Sequence, residues 1–307
     1  MRVSTVIPVY NREQFVARAV DCALRQDVEG HEVIIVDNHS TDRTWEVCKA
    51  IALKDSRVRC HQNDRNLGPV RNWIRGVELA SGEYCHLLFS DDLIGPEFLA
   101  RTISLMDEET GFVLAGCDNC NAAGTYDAST FQERGEWSRS EVLEAGVFAN
   151  PSGIHLVSPL VALFRRKDLR ASLVPDIPNS SGIDFAAHGA GPDQLVFLLV
   201  ARQYPKVRCV NRVLTSFFSH GESISVQMRD LRLPREWAKW FFVRNYWPEA
   251  AARYRATLLV RAVRSPVLWE LYNAVAAELG GGVSWQQLVG AGTAELGRVV
   301  RKTIGLI

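Results

Sequence analysis

The chain has 307 residues, 47% apolar and 23% charged, with no formal net charge. This is the make-up of a globular protein, and the absence of a basic excess gives no support for nucleic-acid binding. Few single cores grow this large, so one principal domain at residues 1–228, in halves 1–110 and 111–228, and a helical C-terminal region at 229–307 are expected.

The pattern then runs in order. Val3 to Val9 is an apolar, β-branched strand, and Phe15, Val16, Ala19, Val20 and Leu24 follow at helical spacing. Glu32 to Val36 is a second buried strand ending at Asp37, and Ser40-Thr41-Asp42 carries helix N-cap chemistry before Trp45, Val47 and Ile51. Val58 to His61 is a third strand. Asn66-Leu67-Gly68-Pro69 is a turn before a helix from Val70 to Leu79. Tyr84 to Phe89 is a buried strand that delivers Asp91 and Asp92 to its C-terminal end, where open α/β sheets bind ligands. Adjacent side chains on extended chain point to opposite faces, so one carboxylate can hold a metal while the other holds a sugar or a supporting partner. A solvated acidic turn, with Pro96 opening the next helix, is the alternative. Alternation at this spacing predicts a parallel sheet with right-handed crossovers, and Asp37 and Asp91 facing one cleft.

After a strand at Gly111 to Gly116 the pattern loosens into a polar loop from Asp118 to Gly135. Ser138-x-x-Glu141 is a capping box. Val161 to Phe164 is a strand, Arg165-Arg166-Lys167 a basic turn, Asp193 to Gln203 a helix with Asp193 in its first turn, and Val207 to Val210 and Val213 to Phe218 two strands. From Leu231 the pattern is helical, broken at Ser265-Pro266 and Gly280 to Gly282.

Residues 229–307 carry 12 Lys+Arg against 6 Asp+Glu, with aromatics clustered from Trp237 to Trp247. This composition suits a membrane surface or a homo-oligomer contact, and equally a packed helical subdomain. Seven cysteines without a framework, including Cys117-x-x-Cys120, read as reduced thiols. The opening strand, with no signal-like segment before it, and the lack of a run of roughly 18 apolar residues predict a cytoplasmic chain, at most peripheral at the inner face of a membrane.

Six motifs in order resemble the inverting family 2 glycosyltransferases of the GT-A fold: Ile7-Pro8-Val9-Tyr10-Asn11, Val36 to Asp42, Asn66 to Pro69, Ala80 to Tyr84, Phe89-Ser90-Asp91-Asp92, and His220 to Ser225. The resemblance implies an α/β GT-A architecture, a Rossmann-like nucleotide-binding sheet with helices on both faces, plus a C-terminal helical appendage. Residues 1–110 would then be the nucleotide-sugar half and 111–228 the acceptor half. It implies transfer from a nucleotide diphosphate sugar, UDP by default, to a hydroxyl acceptor such as a lipid-linked glycan. A non-catalytic nucleotide-sugar-binding or scaffold protein is the alternative. The implied donor contacts are Pro8, Tyr10, Asn11, Asp37, Asn66, Gly68, Arg71 and Asp92, with Tyr10 and Asp37 at the base. Phe89 stands where the family often has its first metal-motif aspartate. Asp91 matches the second, so Asp91 and His220 are the implied ligands of Mg²⁺ or Mn²⁺. The family's base belongs to a Glu-Asp pair opening a helix; Pro192-Asp193 occupies that place, and Asp193, with Asp184 as rival, is the implied base.

Overall fold

The computed structural model describes residues 2–121, 126–129, 134–148, 153–154, 156–228, 230–280, 282–284 and 286–292. β1 (Val3–Val9) is buried along its whole length, as a strand covered on both faces must be. After it come α1 (Val16–Leu24), β2 (His31–Asp37), α2 (Thr44–Ala52), β3 (Val58–Gln62), α3 (Pro69–Leu79) and β4 (Tyr84–Leu87). β2 pairs in parallel with β1 and β3, and β1 with β4, in the register Val9 to Asp37 at the C-terminal ends. These elements agree with the sequence reading to within a residue or two.

The chain continues through β5 (Leu93–Ile94), α4 (Phe98–Ile103), β6 (Thr110–Asn121), β7 (Tyr126–Ser129), β8 (Glu136–Ser138), α5 (Arg139–Val147), β9 (Ala162–Arg165), α6 (Arg166–Ser172), α7 (Pro192–Ala201) and β10 (Lys206–Ser219). The sheet order is β3-β2-β1-β4-β9-β6-β10-β5. β9 runs antiparallel between β4 and β6, so the sheet is mixed and not parallel throughout. An apolar run encodes burial but not strand direction, which is why the sequence reading missed it.

Other differences are local. β6 continues to Asn121, so Cys117 and Cys120 lie buried in a strand and not in a polar loop. Residues 122–125 and 130–133 of that expected loop lie outside the described residues. The two expected strands near 207–218 are one, bent by register shifts between Val210 and Thr215. Gly116 faces this bend, where a Cβ would stand 2.8 Å from the Arg212 carbonyl oxygen. Arg166 begins a helix and is no turn, and α4 starts two residues after Pro96. The Ser138/Glu141 capping box forms as expected.

α8 (Ile224–Gln227), α9 (Arg232–Tyr246), α10 (Ala251–Arg264) and α11 (Trp269–Leu279) complete the described chain, while the expected helix beyond residue 292 lies outside it. Among the described residues there are two apolar cores. One joins the sheet to α1, α3 and α4. The second unites Leu195, Leu198 and Leu199 of α7 and Val147 of α5 with Trp237, Trp240, Phe242 and Leu258 of the last helices. The C-terminal helices therefore help to complete the body that carries α7. No described helix is long and apolar enough to cross a membrane.

Candidate active site

The loops at the C-terminal ends of β1 and β2 are stitched together. Asn11 adopts the left-handed conformation (φ 51°), which asparagine tolerates better than most residues. Its Oδ1 accepts from the Thr41 amide at 2.8 Å, and its own amide donates to Ser40 Oγ at 2.9 Å. Tyr10 is thereby left 40% exposed on the wall of a cleft of about 1270 Å³, beside Pro8 and Asn11.

Asp37 does not reach that cleft. It is fully buried, and its carboxylate accepts from the Ser40 amide, the Ser40 hydroxyl and Gln62 Nε2. Its work is to fix the bend after β2, which corrects the expectation of a cleft-facing carboxylate. Asn38, the next residue, lines the cleft instead. Asn38 Nδ2 donates to Asn66 Oδ1 at 2.7 Å, and Asn38 Oδ1 accepts from Asn63 Nδ2 at 3.0 Å and from the Leu67 amide at 2.9 Å. The sequence reading missed this role. The recurrence of asparagine at 38, 63 and 66, each near a strand end or turn, was the available signal. Asn66 shapes its turn by also accepting from the Gly68 amide. Gly68 (φ +78°) lets this turn touch the Ala186 backbone, and Arg71 pairs with Asp176 at 2.6 Å on the rim.

The two adjacent aspartates separate sharply. Asp92 is 1% exposed, and its Oδ1 accepts from the Phe218 amide at 2.9 Å, tying the turn to β10. Its other oxygen is buried without a partner. Burial, reinforced by the neighbouring Asp91, pushes the Asp92 carboxyl well above the usual carboxylate range. Asp91 faces the cleft, with Oδ2 2.8 Å from His220 Nε2 and 3.6 Å from Arg12 Nε. His220 Nδ1 accepts from the Glu222 amide at 3.3 Å, which leaves Nε2–H to donate to Asp91. The imidazole stacks on Phe15, ring centroids 4.6 Å apart.

Arg12 was also missed in the sequence. Beyond Asp91 it donates to the carbonyls of Asn11 and Glu222, so it links the loop after β1 to the segment after β10. A base directly after Asn11 at a strand end was its only signal. Phe89 packs against Trp73, centroids 5.3 Å apart, and supplies an apolar wall in place of a carboxylate.

Gly191 (φ +101°) turns the chain into α7, with Pro192 at the first helical position. Asp193 Oδ1 accepts from the Gly191 amide at 2.8 Å. Burial raises the Asp193 pKa, and Arg235 of α9 works against that rise. Asp184 caps the short turn Phe185–Ala187, accepting from the Ala186 amide at 3.0 Å, and also lines the cleft. The fold thus brings Pro8, Tyr10, Asn11, Asn66, Gly68, Arg71, Asp91, Asp92, Asp193 and His220 to one cleft, with Asp37 behind it.

No set of three or more His, Cys, Asp and Glu side chains forms a metal centre among the described residues. Asp91 and His220 are two hard or borderline donors whose ligating atoms lie 2.8 Å apart. They fit a divalent ion that completes its shell with phosphate oxygens and water once the imidazole proton sits on Nδ1, the tautomer that frees the Nε2 lone pair and gives up the Glu222 amide bond.

The chain is 30% identical over 114 residues to glycosyltransferase GlyG of Streptococcus pneumoniae, covering 37% of this chain and 38% of that one. It is 32% identical over 126 residues to abequosyltransferase RfbV of Salmonella typhimurium, 38% of each. The matches therefore span well under half the length of these relatives. The fold is that of S. aureus TarS residues 1–349, crystallised with UDP-GlcNAc, at a TM-score of 0.65 and 19% identity over 95% of this chain and 79% of that one. A mixed nucleotide-type sheet with helices on both faces, in this likeness, is the GT-A architecture. The model of Glycosyl transferase family 2 matches residues 4–173, and with more than half its length inside that match the chain belongs to this family.

Proposed function

We propose that the chain moves a sugar, with inversion at the anomeric carbon, from a nucleotide diphosphate donor to a hydroxyl of a cell-surface polysaccharide or glycolipid precursor. The observation that carries this reading is the cleft that Asp91 and Asp193 both line. Residues 1–110 supply the donor wall, and Tyr10 offers an exposed ring on which a base can stack. TarS was crystallised with UDP-GlcNAc and with UDP, which makes UDP the first nucleotide to test.

Inversion requires one displacement. The acceptor oxygen attacks the anomeric carbon opposite the diphosphate, the bond to the diphosphate breaks with its electron pair, and a base takes the hydroxyl proton. Asp193 is that base in this reading, because burial raises its proton affinity toward the working range while the Gly191 amide holds its orientation. Asp184 is the rival, although its carboxylate already caps a turn. Arg12 and Arg71 stand on the donor side, where diphosphate charge would fall. Asp91 and His220 would hold Mg²⁺ or Mn²⁺, which when bound neutralises charge on the departing diphosphate.

The test is a thermal-shift panel of UDP, dTDP, GDP and CDP with and without Mn²⁺, on wild type and Asp91→Ala, followed by donor turnover. A nucleotide-selective, metal-dependent shift that Asp91→Ala abolishes is expected. Nucleotide binding without turnover on any acceptor would favour the non-catalytic scaffold, and no shift at all would defeat both readings.

A further inference from the structure

The cleft does not end at Asp193. A second cavity of about 330 Å³ adjoins it, and Arg235 and Val157 line both. Local backbone geometry sets this position: a Cβ on Gly191 would stand 3.0 Å from the Pro234 carbonyl oxygen, so the start of α9 lies against the start of α7. Arg235 follows directly. Asp193 and Arg235 are thus delivered to one spot by the abutting ends of two helices.

The described wall of the second cavity is about half apolar, through residues such as Leu195, Leu198 and Ala238, and half polar, through Gln194 and two cations, Arg235 and Lys239, with no carboxylate. Lys239 is matched, its Nζ lying 2.8 Å from Glu236 Oε1. Among the described residues the Arg235 side chain makes no hydrogen bond and no close ion pair, and its Nε is buried with no partner. Arg235 is only part-buried, so the rest of its guanidinium is open to an incoming anion, which can pair with it through charge-assisted hydrogen bonds. Asp193, whose carboxylate feels the Arg235 charge, is held through Oδ1 by the Gly191 amide.

We infer that Arg235 and this cavity form a subsite for an amphipathic anion, whose phosphate or carboxylate group pairs with the guanidinium while an apolar segment lies along Leu195 and Leu198. Naming that anion an acceptor rests on the sugar-transfer reading; the subsite itself does not. Its place beside Asp193 sets the acceptor's hydroxyl on the donor side of the charge and its apolar part away from the donor.

The experiment is calorimetric titration of the whole chain, saturated with UDP to fill any diphosphate site, with octyl phosphate, octanoate and neutral octyl glucoside. Wild type, Arg235→Gln, Arg235→Ala and Arg235→Lys are compared. At least one of the two anions is expected to bind wild type and to lose about tenfold or more in affinity in the Gln and Ala variants, with partial retention in Lys, while the glucoside changes by less than about twofold. The tighter anion separates a phosphate from a carboxylate. Equal anion affinity in wild type and Arg235→Gln, or no anion binding to wild type, overturns the subsite. Arg235-dependent anion binding in a protein that binds no nucleotide would sink the transferase reading and leave the subsite standing.

Discussion

Glu236 offers the sharpest check on how the helix that carries Arg235 is held. It is 6% exposed, and its carboxylate takes Lys239 at 2.8 Å, Arg261 at 2.8 Å and the Tyr254 hydroxyl at 3.0 Å. Arg261 also donates to the carbonyls of Val147 and Phe148, so this cluster fastens α9, and with it Arg235, to α10 and to the end of α5. Burial alone would raise the Glu236 pKa, but Arg261 and Lys239 together outweigh it and bring the group from 4.5 down to about 2. A carboxyl lowered on folding stabilises above its unfolded pKa, and the stabilisation is lost as pH falls through the folded one. The difference here corresponds to about 3 kcal/mol, present at neutral pH and lost progressively between about pH 4.5 and 2. Glu236→Gln removes it but keeps an amide oxygen for Arg261 and the Tyr254 hydroxyl to bond, and Glu236→Ala removes that acceptor as well, for about 3–5 kcal/mol. Urea unfolding followed by tryptophan fluorescence suits this test, since Trp237 and Trp240 lie in the same core. The gap between wild type and Glu236→Gln should narrow on acidification. A Gln variant as stable as wild type at pH 7, or a gap that does not change with pH, would refute the reasoning.

Three further outcomes are expected. Asp193→Asn should leave UDP affinity unchanged and lower nucleotide release by about 10²- to 10⁴-fold, and wild-type turnover should fall on acidification at a pH above the usual carboxylate range, because burial raises Asp193; an acid limb at an ordinary carboxylate pKa would count against Asp193. Asp91→Asn and His220→Ala should each abolish the Mn²⁺-dependent part of UDP binding in calorimetry, whereas a metal effect retained in both would place the ion elsewhere. Gly68→Ala should lower stability by about 1–3 kcal/mol in thermal denaturation, since φ is +78° and the new Cβ would lie 2.4 Å from the Ala186 carbonyl oxygen; a neutral result would mean that the two loops part easily.

The first four strands and their helices were legible because each signal was local: buried β-branched runs, apolar residues at helical spacing and Pro69 after Gly68, whereas the cap expected from Ser40-Thr41-Asp42 fell on Arg43, which makes no side-chain cap bond. Gly68 and Pro69 mark the start of α3 as their chemistry requires. The direction of β9 and the continuity of β10 were not legible, because both depend on partners distant in sequence. The site divides in the same way. Asp91, His220 and Asp193 follow motifs with one side chain at a strand or helix end. Asp37 misled because a motif residue at a strand end was equated with a cleft residue, whereas Ser40 and Gln62 consume its oxygens. Arg12 and Arg235 went unnoticed because their importance lies in what surrounds them, a contact 210 residues away in one case and a missing partner in the other.

The fate of the basic, aromatic C-terminal stretch follows from the second core. Trp237, Trp240 and Phe242 are at most 5% exposed and cover Leu195, Leu198 and Leu199, so most of the aromatic surface suggestive of a membrane contact is packed against α7. Part of the positive charge is likewise turned inward: Arg255 and Arg261 are each 6% exposed, Arg255 on the carbonyls of Gly280 and Gly282, Arg261 on Glu236. Composition alone cannot separate these two fates, because an amphipathic helix has the same residues whichever surface it covers. What distinguishes them is the partner of each side chain. By that measure the last helices complete the wall of the cleft that bears Asp193, and the residue they contribute there is Arg235, a cation aimed where donor and acceptor would meet.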